Sequence, residues 1–72
     1  MRSRLELLRL LRSCGYGHAN LHDLTYEDGC TVVLFTIPHG QVRRAFTAFI
    51  SEQEDRPPHI EVELGFVVQQ GR

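Results

Sequence analysis

Pro38-His39-Gly40-Gln41-Val42-Arg43-Arg44-Ala45-Phe46-Thr47-Ala48-Phe49-Ile50-Ser51-Glu52-Gln53-Glu54-Asp55 is the stretch on which the fold turns. Val42, Ala45, Phe46, Phe49 and Ile50 recur at i, i+3, i+4, i+7 and i+8, the spacing of one face of an α-helix. Pro38 suits a first helical turn, where its missing N–H does no harm. Pro57 and Pro58 disfavour helical geometry in the residues before them, so the pattern predicts a helix over 39–54. Arg43 and Arg44 fall on its exposed side.

Upstream, residues 21–37 read as a β-hairpin. Two runs rich in Val, Thr, Tyr, Phe and Ile flank Asp28-Gly29, a pair that tolerates the positive φ angles of a type I′ turn. With those two residues as the loop, Glu27 faces Cys30 and the register follows. One face carries His22, Leu24 and Tyr26 opposite Thr31, Val33 and Phe35, and reads as the core. The other carries Leu21, Asp23, Thr25 and Glu27 opposite Cys30, Val32, Leu34 and Thr36.

Residues 3–14 predict a first helix with Leu7, Leu8, Leu10, Leu11 and Cys14 on its apolar face, stopped by Gly15. Downstream, residues 59–69 alternate, with Ile60, Val62, Leu64, Phe66 and Val68 on one face and Glu61, Glu63, Gly65 and Val67 on the other. That is the signature of a half-buried strand. The predicted order is α-β-β-α-β in a single domain over 1–72: an α+β sandwich, with two helices on one face of a three-stranded sheet. A right-handed crossover sets the last strand parallel to the second.

This arrangement leaves one sheet face bare. It shows Val32, Leu34 and Val67 in a frame of Asp23, Thr25, Glu27, Glu61 and Glu63, while Arg2, Arg4, Arg9, Arg12, Arg43 and Arg44 lie on the helical side. An uncovered sheet with apolar centres and unpaired edges generally meets something.

Composition narrows the class. With 72 residues, 42% apolar and 24% charged, the chain is globular but has room for little more than one core layer. A net charge of −1, with eight basic residues that are all Arg, speaks against a general phosphate binder. No apolar run is long enough to span a bilayer, and Arg and Glu interrupt the leucines of the first fourteen residues. A cytoplasmic setting with reduced Cys14 and Cys30 is the expectation.

Cys14, His18, His22 and Cys30 are the residue types of a tetrahedral zinc site. Gly15 and Gly17 break the helix that would stack the first three, and His22 and Cys30 fall on opposite sheet faces, so no metal site is expected. Neither cysteine stands in a nucleophile motif, and no catalytic residue or cofactor is assigned.

The run Leu7-Leu8-Arg9-Leu10-Leu11-Arg12-Ser13-Cys14-Gly15-Tyr16, then Asn20-Leu21, then hairpin, helix and strand, resembles the small-molecule-sensing ACT-type regulatory domains. The order also resembles a ferredoxin-like fold lacking its first strand, because residues 3–14 are taken up by a helix. The resemblance implies a regulatory domain that binds a small ligand.

The first expectation is a non-catalytic interaction or regulatory protein that self-associates, as a dimer, through the open sheet face. Val32, Leu34 and Val67 form the centre and Asp23, Thr25, Glu61 and Glu63 the rim. The alternatives are the small-molecule sensor and a nucleic-acid binder using Arg2, Arg9, Arg12, Arg43 and Arg44.

Overall fold

A computed structural model describes residues 2–69, with side chains over 2–65. The elements are α1 (Arg4–Ser13), β1 (Asn20–Glu27), β2 (Cys30–His39), β3 (Val42–Gln53) and β4 (Arg56–Gln69). The four strands form one antiparallel sheet in the order β1-β2-β3-β4. Helix α1 packs on one face.

The predicted helix over 39–54 is instead β3, one of the two central strands, and the α-β-β-α-β sandwich with its parallel last strand is corrected to one helix on a four-stranded meander. The cause is visible in the burial. Phe46, Ala48 and Ile50 point to the helix side, and Ala45, Thr47 and Phe49 to the other, all buried or half-buried. A strand with apolar residues on both faces yields a near-continuous apolar run, and a helical spacing can be picked out of any such run. Composition favours the strand, since Val, Phe, Thr, Phe and Ile are poor helix formers and good β formers.

The prolines and Gly40 also take other roles. Gly40 has φ 65° and forms with Gln41 a two-residue loop that closes β2 onto β3, His39 pairing with Val42. A glycine with positive φ at the first loop position is the pattern of a type II′ hairpin turn. Pro38 therefore ends a strand and does not begin a helix. Pro57 and Pro58 lie in β4, an edge strand, where a missing N–H is tolerated. With β3 in the sheet, the ACT-type and ferredoxin-like resemblance loses its second helix and its strand order.

The first hairpin keeps its predicted turn and most of its register. Asp28 and Gly29 have φ 51° and 75°, and Glu27 pairs with Cys30, Thr25 with Val32 and Asp23 with Leu34. A β-bulge between Leu21 and Asp23 then shifts the strand. Leu21 pairs with Phe35 on the helix side, contrary to strict alternation, and His22 is released from it. The His22 ring nitrogen Nε2 lies 2.7 Å from Thr36 Oγ1. Tyr26, expected in the core, sits by the turn and is 55% exposed.

Helix α1 is held at both ends. The Ser3 hydroxyl accepts from the Glu6 N–H, and the Glu6 carboxylate accepts from the Ser3 N–H at 2.8 Å, a complete capping box. At the other end the Tyr16 N–H donates to Leu11 O and the Gly15 N–H to Arg12 O, with Gly15 at φ 99°. These paired bonds are a Schellman stop.

Leu7 and Leu11 are fully buried against Ala19, Val33, Phe35, Ala48 and Ile50, and Leu8 and Leu10 pack half-buried beside them. Cys14, expected on the apolar face, is exposed. Tyr16 closes the core: its ring meets Phe35 edge-on at 5.6 Å, and Phe35 stacks on Phe46 at 5.3 Å. Ten helical residues reach about 15 Å, and the fourteen of β4 about 45 Å, so the helix covers part of one face and none of the other.

Candidate interaction surface

Residues paired across an antiparallel sheet point to the same side, so the register writes out the open face row by row. From β1 to β4 the rows are Glu27, Cys30, Ser51 and His59; then Thr25, Val32, Phe49 and Glu61; then Asp23, Leu34, Thr47 and Glu63. Beyond them Asn20, Thr36, Ala45 and Phe66 make a fourth row, the Phe66 side chain lying outside the described residues. The two central strands supply Val32, Leu34 and Phe49. Both outer strands supply carboxylates, Asp23 and Glu27 on one side and Glu61 and Glu63 on the other.

Leu34 is 37% exposed, and Val32 and Phe49 are half-buried. Among the described residues no element lies over them. Ala45 and Thr36 on the same face are buried, at 2% and 7%. The basic side chains here are Arg43, in register with Pro38 at one end, His22, whose ring meets Thr36, and His59. His59 Nε2 stands 2.9 Å from Glu61 Oε2, with both side chains mostly exposed.

Of the expected interface, Asp23, Thr25, Val32, Leu34, Glu61 and Glu63 come together as one patch. Val67 does not join it in the backbone register. A second bulge, at Ala45/Phe46, leaves Gly65 unpaired and sets Val67 opposite Arg44 on the helix side; its side chain lies outside the described residues. Phe49 and Thr47 join the patch although they fall within the predicted helix, whose spacing gives no place to them on a sheet face. The signal that could have placed them is composition, since Val, Phe, Thr and Ile favour a strand.

The arginines scatter. Arg43 and Arg44, adjacent in β3, point to opposite faces. Arg2 Nε pairs with Glu52 Oε1 at 3.1 Å, and Arg4 donates to Leu21 O at 3.2 Å. Arg9 and Arg12 remain exposed on α1, so the five residues of the nucleic-acid reading form no single patch.

Among the described residues no group of three or more His, Cys, Asp or Glu is placed to hold a metal ion. Cys14, His18, His22 and Cys30 are not brought together. A surface depression lies at the β3–β4 hairpin, lined by Ser51, Gln53, Arg56, Pro57, Pro58 and His59. Its titratable and nucleophilic side chains are those of Ser51, Arg56 and His59. No described helix is long and apolar enough to cross a membrane. No protein-family model, curated protein or solved structure matches this chain.

Proposed function

We propose that this chain is a non-catalytic protein-binding module that works through the open face of its sheet, in a cytoplasmic setting that keeps Cys14 and Cys30 as free thiols. The observation that carries the reading is the strip of Val32, Leu34 and Phe49 on the two central strands, accessible and bounded by polar residues on both sides. An apolar centre with a polar rim is the anatomy of a protein interface. Desolvating such a centre supplies most of the binding energy, and the rim sets which partners are accepted.

A photo-crosslinking amino acid placed at Leu34 or Thr47 tests this in the cells that make the protein, with the same group at Arg9 on α1 as the control. Discrete protein adducts from the sheet positions, absent from the helix position, are the expected result. Equal labelling from both faces, or none from the sheet, would overturn the assignment.

A further inference from the structure

Resting on that reading, we infer that the partner presents a positively charged amphipathic helix, which lies along the strip with its apolar stripe on Val32, Leu34 and Phe49. Width and charge carry the argument. Across the three rows from Glu27 to Glu63 the apolar side chains Val32, Leu34 and Phe49 lie on the two central strands, and the outer strands beside them carry Asp23, Glu27, Glu61 and Glu63. Sheet-on-sheet packing needs apolar residues across most strands and would bury the outer carboxylates unpaired, which is unfavourable.

A helix needs less. Its diameter with side chains is about 10–12 Å, and four strands span about 14 Å between the outermost backbones. A helix centred on the strip therefore places its flanks over Asp23 and Glu27 on one side and Glu61 and Glu63 on the other. Lys or Arg on both flanks then meets acid on both, which steers approach and fixes register. The rows of Val32, Leu34 and Thr36 span about 14 Å along the strand, which corresponds to two to three helical turns with anchors at i, i+3 or i+4, and i+7.

A second copy of the same face is a poorer occupant. Because both edges are acidic, either orientation of two such faces sets carboxylate over carboxylate.

Three labelled synthetic peptides of equal length test the inference by fluorescence anisotropy: a helix former with a leucine stripe and lysine flanks, its scramble with the same composition, and the same stripe with glutamate flanks. The lysine-flanked peptide is expected to bind, the scramble at least about tenfold more weakly, and the glutamate-flanked peptide not at all. Glu61→Lys with Glu63→Lys should shift the preference toward the glutamate-flanked peptide. Leu34→Thr, which keeps a good strand former, should weaken the lysine-flanked peptide about tenfold. Circular dichroism and the unfolding midpoint establish that each variant is folded.

Equal binding of the scramble, indifference to the charge reversal, or binding of none of the three overturns the inference. So does a dimer by light scattering that Leu34→Thr dissolves, since the occupant would then be a second copy. Adducts at Leu34 combined with failure of the peptide preferences leave the protein-binding reading standing and remove the helix.

Discussion

Ser3 and Glu6 show how much one reciprocal pair of bonds decides. The Ser3 N–H, and after it the Ser3 hydroxyl, hold the Glu6 carboxyl below its ordinary pKa. A depressed carboxylate pKa means that the folded state binds the proton less readily than the unfolded chain. The stabilisation is therefore complete above the unfolded value and lost as pH falls through the folded one. Urea unfolding measured from pH 7 down to pH 3 should show an acid limb that flattens in Glu6→Gln, which keeps the capping geometry without the titration. Ser3→Ala should lower stability by about 1 kcal/mol at neutral pH.

In the core, Phe35 is fully buried between Tyr16 and Phe46, so Phe35→Ala is expected to destabilise by about 3–5 kcal/mol, enough to unfold much of so small a domain. At this scale the sequence was readable wherever chemistry is local. The Asp28-Gly29 turn and the Gly15 stop were both legible because positive φ names its residues. The bulge at His22 was not, since one extra residue in a ladder leaves no local mark.

Among the elements, the hairpin over 21–37 and the first helix were legible, and 39–54 was misread. Periodicity distinguishes a helix from a strand only when one face is wet, and β3 is covered by α1 on one side and half-buried on the other. Adjacent residues of β3 should therefore respond unequally to the same change. Ala48 is fully buried opposite Val33 and Val62, and Ala48→Leu overfills that site at a cost of about 1–3 kcal/mol. Thr47 points to the open face, and Thr47→Leu should stay within about 0.5 kcal/mol. Midpoints of denaturant unfolding for the two variants check this; equal losses would mean that the two side chains do not lie on opposite faces.

For the molecule as a whole, the carboxylates along both outer strands matter more than the net charge of −1. The open face was foreseen from the hairpin and last-strand alternation, neither of which depends on what residues 39–54 become. Its acidic frame survived for the same reason. The all-basic helical side did not, because alternation in β3 sends Arg43 to the open face and Arg44 away from it. If like charge keeps two open faces apart, removing it should bring them together. The combined variant Asp23→Asn, Glu27→Gln, Glu61→Gln and Glu63→Gln is expected to self-associate at concentrations where the parent stays monomeric, and light scattering across a concentration series measures it. A parent that dimerises as readily as the variant would show that these charges do not govern association.

The connectivity carries a kinetic consequence. Every strand pairs with its neighbour in the chain, and the β1–β2 and β2–β3 connections are two residues long. Contact order is thus low for a protein made mostly of strands, and the sheet can zip hairpin by hairpin without first closing a long loop. The helix is the exception. Leu7 and Leu11 rest on Ala48 and Ile50, and Arg2 meets Glu52 across 50 residues. As the chain leaves the ribosome, α1 emerges with its leucines bare, gains Val33 and Phe35 with β2, and is fully covered only when β3 has followed it out, the interval in which this protein is most exposed to chaperones and to its own neighbours.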